Sequence, residues 1–127
     1  MKLAGIGVDI IENSRIKKLL KNKLFVDRVF SKKEILISKN KKDKNLYFAK
    51  RFAAKEAFSK SIGTGFRNGI NLKDISVIND SLGKPSFLLN KRLIKLLKKK
   101  FNVKSANFLL SISDEKKYSI AFVVYQK

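Results

Sequence analysis

Two carboxylates in this sequence stand where an apolar side chain would be expected. Asp9 interrupts an apolar stretch spaced by glycines, Ile6-Gly7-Val8-Asp9-Ile10, and Glu56 lies among small and aromatic residues in Phe52-Ala53-Ala54-Lys55-Glu56. A carboxylate that leaves water without a partner costs several kcal/mol or takes a raised pKa. The sequence contains neither histidine nor cysteine. Acid–base or metal chemistry must therefore use carboxylates, lysines, tyrosines or bound water, and these two acids are the first candidates.

Each acid also has an ordinary structural interpretation. Glu56 and Lys60 have the spacing of an i,i+4 ion pair, worth only about 0.3–0.5 kcal/mol on an exposed helix face. Asp9 could cap a helix that starts near Asn13, or pair with an arginine. Considered together, the two acids could instead hold one hard cation, since Mg²⁺ takes one or two protein carboxylates and completes its shell with water and substrate phosphate. Lys60 would then meet the phosphate.

The two acids fall on a predicted strand and on the longest predicted helix. Alternation of apolar residues with glycine predicts a strand over residues 3–11, and its glycines leave room for another backbone or a ligand to approach. The helix is predicted to start at Asp43 or Asn45 and to reach residue 62. Gly63 is placed to end it in the left-handed conformation.

The rest of the sequence predicts an α+β fold, in which long helices pack against an antiparallel-rich sheet. Further helices are predicted to start at Asn13 or Ser14, at the capping box from Ser31 to Glu34, and at Asn90. Further strands are predicted over residues 75–78, 86–89, 106–112 and 118–125, and the last two form a hairpin. The last strand is apolar on both faces, which predicts a central position or a subunit interface. At 127 residues, we expect a single domain, residues 1–127, with a core of its own.

The formal net charge of +20 is compatible with more than one class of binding partner. One interpretation is a basic RNA-binding protein of the ribosomal type, because phosphate neutralisation favours such a balance. Most of the charge is lysine, however, whereas arginine is favoured for bidentate phosphate and base contacts. The lysine excess can also reflect the composition of the genome. A third interpretation is long-range attraction of an acidic protein or a polyphosphate substrate.

The sequence has no feature of a membrane or secreted protein. Its longest apolar runs are far shorter than the ~20 residues that span a bilayer. The N-terminal apolar run contains Asp9, unlike a signal peptide. We expect a cytoplasmic protein.

Two blocks of the sequence resemble the signature motifs of the 4′-phosphopantetheinyl transferases. The first is Ile6-Gly7-Val8-Asp9-Ile10-Ile11-Glu12 followed by Arg15, and the second is Phe52-Ala53-Ala54-Lys55-Glu56-Ala57-Phe58-Ser59-Lys60 with Gly63-Thr64-Gly65. The length matches the short, holo-acyl-carrier-protein synthase branch of the family. Gly83-Lys84-Pro85 and Leu110-Ser111-Ile112-Ser113 fall where the family has further motifs, so the resemblance covers essentially the whole chain.

The resemblance implies the fold of that family and transfer of the phosphopantetheine arm of coenzyme A to a serine of apo acyl carrier protein. The products are the holo carrier protein and adenosine 3′,5′-bisphosphate, and the step belongs to fatty acid biosynthesis. Asp9 and Glu56 would bind Mg²⁺ and act in catalysis, with Glu56 or a metal-bound water as the base for the serine hydroxyl. The short members of the family are homotrimers with active sites between subunits.

The resemblance also implies where the two substrates bind. Lys60 would contact the phosphates of coenzyme A, with Gly63-Thr64-Gly65 beside them. Arg51 would lie near the 3′-phosphate of the nucleotide, and Gly83-Lys84-Pro85 near the adenine. Arg15 would face the carrier protein.

One position departs from the family pattern. The family often has Ser-x-Ser-His at the hairpin, whereas this chain has Ser111-Ile112-Ser113-Asp114. An anionic Asp114 cannot replace a histidine that meets a phosphate, so that role is not carried over. If the chain is active, the histidine cannot be an obligatory base.

Overall fold

A computed structural model describes residues 2–63, 69–102 and 107–127 of the chain. The helices are α1 (Asn13–Leu19), α2 (Lys23–Val29), α3 (Lys32–Ser38), α4 (Lys44–Ile62) and α5 (Lys91–Phe101), with a 3-10 turn at Leu72–Asp74. The strands are β1 (Leu3–Glu12), β2 (Ile75–Asn79), β3 (Pro85–Leu89), β4 (Asn107–Asp114) and β5 (Tyr118–Gln126). This order of elements confirms the predicted α+β class.

The strands form two antiparallel sheets. The larger sheet has the order β1-β5-β4, and the smaller one is the hairpin of β2 and β3. β5 is therefore a central strand, as its two apolar faces predict. One face packs against α4 and is buried at Ala121 and Val123, whereas the other face leaves Ile120 and Phe122 exposed.

Polar side chains cap three helices where the sequence predicts them. Asp43 and Asn90 each accept a hydrogen bond from a backbone N–H three residues further on. Ser31 and Glu34 form the reciprocal bonds of a capping box. Gly63 ends α4 in the left-handed conformation, with φ of 85°. These boundaries are predictable because each depends on residues a few positions apart, and a cap of this kind contributes about 1 kcal/mol.

The first helix does not begin as predicted. Glu12 occupies the N-cap position of α1, and no side chain caps the helix there. The Asn13 amide instead donates to two backbone carbonyls of the β4–β5 hairpin and accepts from the Ser119 hydroxyl. The prediction that Asn13 or Ser14 caps this helix is therefore wrong, because a contact from the far end of the chain uses the amide. The sequence pattern also does not predict α2, which Asn22 caps.

α4 is the central helix and is buried on most of its circumference. It packs on β1 and β5, and its buried residues include two cations, Arg51 and Lys55, among aromatic and alanine side chains. No described helix, α4 included, is long and apolar enough to cross a membrane.

The contact between β1 and α4 is closest at two glycines. A Cβ atom at Gly5 would lie 1.9 Å from the Ser61 carbonyl oxygen, and one at Gly7 would lie 1.9 Å from the Ala57 carbonyl oxygen. No other residue type fits there without moving a backbone. Of the two uses that the sequence leaves open, the glycines serve backbone contact, and this contact brings Asp9 beside the helix.

Candidate active site

Asp9 and Lys60 form an ion pair where β1 crosses α4. The Lys60 ammonium lies 3.2 Å from Asp9 Oδ1 and donates a hydrogen bond of 3.0 Å to the Val8 carbonyl oxygen. The Asp9 side chain is 16% exposed and that of Lys60 is 54% exposed, so the carboxylate is sheltered while the ammonium reaches solvent. Burial raises the pKa of Asp9, and the hydrogen bond and charge of Lys60 oppose that rise.

Glu56 joins this group from the preceding turn of α4. Burial, followed by the charge of Asp9, raises the pKa of Glu56 from 4.5 to about 7, and Lys60 and Arg15 act in the opposite direction. Asp9 pairs with Lys60 one turn of α4 beyond Glu56, so the two carboxyl groups lie on the same side of the helix. A group with a pKa of about 7 can accept a proton near neutral pH. The surroundings of Glu56 therefore suit a general base.

The ordinary structural interpretations of the two acids are not borne out in the described part of the chain. Lys60 pairs with Asp9, and no ion pair joins Lys60 to Glu56. Asp9 neither caps α1 nor pairs with an arginine, since Arg15 acts on it only through charge. The i,i+4 pair is absent because β1, held close to α4 by its glycines, offers Lys60 both a carboxylate and a carbonyl.

Asp9 and Glu56 have the donor chemistry of a hard-cation site. Both supply oxygen, which is the ligand atom that Mg²⁺ prefers. A bound cation would also relieve the repulsion that raises the Glu56 pKa. Within residues 2–63, 69–102 and 107–127, no three acidic side chains cluster as metal ligands. The protein would therefore supply these two carboxylates, and water and substrate the remaining ligands.

A groove of about 680 Å³ opens beside Glu56. It lies between α2, α4 and the segment before β2, and most of its lining is apolar. Phe25, Val29, Phe52 and Leu72 form apolar parts of its wall. A substrate bound in the groove would lie beside the Glu56 carboxylate.

Arg51 lies on another side of α4 and is almost fully buried. Its guanidinium stacks 3.8 Å from the centroid of the Tyr47 ring and donates a hydrogen bond of 2.5 Å to Asn79 Oδ1. Arg51 Nε and the Tyr47 hydroxyl are buried without a hydrogen bond of good geometry among the described residues, although the two side chains lie close enough for each to shift the pKa of the other. Buried polar atoms of this kind need a water or a ligand to complete their bonding.

Asn79 connects Arg51 to the turn that contains Gly83-Lys84-Pro85. Its side-chain amide donates to the Gly83 carbonyl oxygen at 2.9 Å. Asp80 Oδ1 closes the same turn by accepting from two backbone N–H groups, that of Lys84 among them. Gly83 has φ of 88°, where glycine is favoured. A depression of about 500 Å³ lies between this turn and α4, and its lining includes three lysines, Lys41, Lys42 and Lys50.

The predicted site residues therefore fall into two groups on different sides of α4. From Arg51 to Glu56 the helix turns through about 140°. Asp9 and Lys60 lie with Glu56, whereas Arg51 lies with the turn at Gly83-Lys84-Pro85. A single chain does not bring the two groups together.

The other predicted residues are distributed as follows. Arg15 is exposed on α1, and its charge acts on both Asp9 and Glu56. Gly63 is exposed at the end of α4. Thr64 and Gly65 lie outside the described residues.

The acid at the hairpin position has a partner of its own. Asp114 Oδ1 lies 3.9 Å from the Lys50 ammonium, and Lys50 lines the depression beside Arg51. Asp114 therefore pairs with a lysine at this edge and does not supply a positive charge for a phosphate. The chain still lacks the histidine that the family often has at this position.

The sequence interpretation missed two groups of polar residues. Asn79 and Asp80 are assigned only to a turn, although they build the link between Arg51 and that turn. Lys55 points away from Glu56, as the helical wheel predicts, but it is fully buried against Glu34. At Glu34 the sequence shows only the capping box with Ser31. No sequence pattern predicts the ion pair between Glu34 and Lys55.

Comparison with known proteins decides the family. A family model described as the 4′-phosphopantetheinyl transferase superfamily matches residues 5–123. This chain belongs to that superfamily. The family that the two sequence blocks suggest is thereby confirmed.

Relatives within the superfamily match along their whole length. The chain is 61% identical over 127 residues to the holo-[acyl-carrier-protein] synthase of Pelagibacter ubique, covering 100% of this chain and 99% of the relative. The crystal structure of the holo-[acyl-carrier-protein] synthase from Neisseria meningitidis matches with a TM-score of 0.89 and 38% identity, covering 99% and 100% of the two chains. The Bacillus anthracis synthase in complex with CoA (3′,5′-ADP) matches with a TM-score of 0.80 and 36% identity, covering 97% and 96%. These matches confirm the predicted fold, and they give no support to the RNA-binding alternative.

Proposed function

We propose that this protein transfers the 4′-phosphopantetheine group of coenzyme A to a serine of apo acyl carrier protein. The products are the holo carrier protein and adenosine 3′,5′-bisphosphate, and the step serves fatty acid biosynthesis. The observation that carries the proposal is the group of Asp9, Glu56 and Lys60, which the fold assembles from the two blocks typical of the superfamily. The full-length similarity to a holo-[acyl-carrier-protein] synthase supports the reaction, and a related synthase in complex with CoA supports the donor.

Asp9 and Glu56 are the residues that would hold Mg²⁺. Lys60 orients the Asp9 carboxylate, and its charge and hydrogen bond oppose the rise of the Asp9 pKa that burial causes. When bound, the ion would offset the negative charge that develops on the pyrophosphate of coenzyme A.

Glu56 takes the proton from the serine hydroxyl of the carrier protein. The serine oxygen attacks the β-phosphorus of coenzyme A, and the bond from that phosphorus to the bridging oxygen of the α-phosphate breaks. Adenosine 3′,5′-bisphosphate leaves with the bridging oxygen and its bonding electrons. A general base typically contributes about 10²–10⁴-fold to such a step, and the Glu56 carboxylate lines the groove, where a substrate can reach it.

Lys60 contacts the pyrophosphate. Its ammonium has three donors. One is directed at Asp9 and one at the Val8 carbonyl, which among the described residues leaves the third for a phosphate oxygen. By the resemblance, Gly63-Thr64-Gly65 is assigned to the same phosphates.

The nucleotide end of coenzyme A binds to a neighbouring subunit. Arg51 is assigned to the 3′-phosphate and Gly83-Lys84-Pro85 to the adenine, but Arg51 and Glu56 point to different sides of α4. Because the two groups lie on different sides of α4, we propose that two copies of the chain present them to one coenzyme A molecule. The resemblance implies that the assembly is a homotrimer with active sites between subunits, in which Arg15 faces the carrier protein.

The exposed face of the larger sheet supports this assembly. In register across β1 and β5, Val8 lies opposite Phe122 and Ile10 lies opposite Ile120, and all four side chains are exposed together with Ile6. A contiguous apolar patch on a protein surface marks an interaction site. We propose that a second copy of the chain covers this patch, because the site residues fall into two groups on different sides of α4.

The deciding experiment incubates the protein with Mg²⁺, coenzyme A and an apo acyl carrier protein, and measures the mass of the carrier. We expect the wild type to add one phosphopantetheine group, and removal of Mg²⁺ by a chelator to stop the addition. Glu56→Ala should lower kcat/KM by about 10²–10⁴-fold, because it removes the base and a metal ligand.

Glu115→Ala is the matched control, since Glu115 is an exposed acid of the β4–β5 hairpin to which no predicted site role is assigned. It should transfer at the wild-type rate. Near-normal transfer by Glu56→Ala would reject both functions assigned to Glu56. Failure of the wild type with every carrier protein, combined with salt-sensitive binding to RNA, would reject the transferase.

A further inference from the structure

Lys55 and Glu34 form an ion pair without solvent contact, close to the candidate active site. Both side chains are 0% exposed, and Lys55 Nζ lies 2.5 Å from Glu34 Oε1. Removing two charges from water is costly, and an apolar pair of similar size often stabilises a fold at least as well. The stability of the fold therefore does not explain why this pair is charged.

Each donor of the Lys55 ammonium is directed at its own acceptor. Besides Glu34, the ammonium donates to the Val29 carbonyl oxygen at 2.8 Å and to the Leu72 carbonyl oxygen at 3.1 Å. Val29 is the last residue of α2, where helix carbonyls lack partners within the helix, and Leu72 begins the 3-10 turn. Glu34 accepts in turn from two backbone N–H groups, one at the start of α3 and one in β2.

The two carbonyls that Lys55 holds belong to walls of the groove beside Glu56. Val29 stands on the α2 side of that groove and Leu72 on the side before β2. Lys55 immediately precedes Glu56 on α4, so both walls are tied to the helix one residue away from the base. Lys55 therefore acts on the groove through the two carbonyls that it holds.

We propose that Lys55 is a positioning residue for the transfer reaction. With Glu34, it sets the width of the groove by holding the end of α2 and the 3-10 turn against α4. A methionine at position 55 would fill the space but would leave both carbonyls without a donor, and the two walls could then move independently of the helix. This inference rests on the proposed function, in which the groove receives a substrate.

The test uses the double variant Lys55→Met/Glu34→Gln. Lys55→Met alone would leave the Glu34 charge buried and unpaired, and we expect that variant to unfold. The double variant removes both charges and keeps an acceptor at position 34. Leu97→Ala is the matched control, because it opens a cavity at a buried residue of α5 that does not line the groove, and so lowers stability.

Two readouts are compared between variants of similar thermal stability. The first is kcat/KM for transfer, which we expect to fall about tenfold to a hundredfold in the double variant through misplacement of the substrate. The second is hydrogen exchange at the backbone amides of residues 26–30, at the end of α2, which we expect to quicken in the double variant and to stay near the wild-type rate in Leu97→Ala.

A double variant that matches Leu97→Ala in both readouts would overturn the proposal. Faster exchange with unchanged kcat/KM would also overturn it, because the walls would then move without consequence for the reaction. If the wild type made no holo carrier protein, the proposed function would fail, while the exchange measurement would still report on the contact that Lys55 makes.

Discussion

Glu56 is an acid whose ionisation the fold opposes. Burial and the neighbouring Asp9 raise its pKa to about 7. In the metal-free protein this opposition lowers stability at high pH, and it also yields a base that can take a proton near neutral pH. A property that costs stability is here the one that the reaction uses.

We expect Glu56→Gln to stabilise the metal-free protein above pH 7 and to change it little below pH 4.5. The unfolded chain releases the Glu56 proton near pH 4.5, whereas the folded chain keeps it until about 7. The contribution of the neutral carboxyl is therefore complete below pH 4.5 and is lost as pH rises through about 7. The stabilisation should be on the order of 1 kcal/mol after solvent screening.

Thermal unfolding in a chelator, across this pH range, measures the effect. Glu115→Gln provides the comparison, because it removes one exposed acid and so corrects for the change in net charge. A Tm difference between Glu56→Gln and the wild type that does not vary with pH would contradict a raised Glu56 pKa.

At the scale of elements, the contact of β1 with α4 assembles the site. Gly5 and Gly7 allow the strand to touch the helix backbone, and Asp9 then meets Lys60 two residues further along the strand. The catalytic group is therefore a product of close packing between two elements.

We expect Gly7→Ala to damage both stability and activity. The added methyl group would lie 1.9 Å from the Ala57 carbonyl oxygen, so β1 must shift away from α4. Overpacking of this kind costs about 1–3 kcal/mol, and the shift would separate Asp9 from its partners on α4. Denaturant unfolding and kcat/KM for transfer measure the two effects.

Ala4→Ser serves as the control, since it enlarges an exposed residue of the same strand. It should leave both measurements near the wild type. If Gly7→Ala lost stability but kept full activity at a permissive temperature, the strand contact would not be what positions Asp9.

At the scale of the whole molecule, the net charge is +20, and most of the lysines and arginines lie outside the candidate site. Acyl carrier proteins are expected to be acidic, and a basic surface accelerates the encounter of oppositely charged partners. We expect kcat/KM for the carrier to fall about tenfold between low and high salt, with kcat at saturating carrier much less affected. Rates that do not depend on ionic strength would exclude this steering.

The proposed assembly gives a second prediction at this scale. Phe122→Glu places a charge in the exposed apolar face of β1 and β5, and we expect it to convert a trimer into monomers and to abolish transfer. Leu36→Glu is the matched control, because Leu36 is an exposed apolar residue on α3. Light scattering measures the mass, and an active Phe122→Glu monomer would reject sites between subunits.

The sequence by itself determined which residues to examine and where several helices begin. Asp9 and Glu56 stand out because their types conflict with the apolar pattern around them, and Lys60 is marked by its spacing from Glu56. The caps at Asp43, Ser31 and Asn90 act within a few residues. Such signals are local, and a single sequence carries them in full.

Only the tertiary structure decided which groups meet. Lys60 finds its partners 51 and 52 residues away on β1, and Lys55 finds its acceptors 17 to 26 residues away on three different elements. Periodicity gives the face of a helix on which a side chain lies, but not what packs against that face. For that physical reason, the partner of Lys60, the link from Arg51 to the turn at Gly83 and the burial of Lys55 became visible only in the fold.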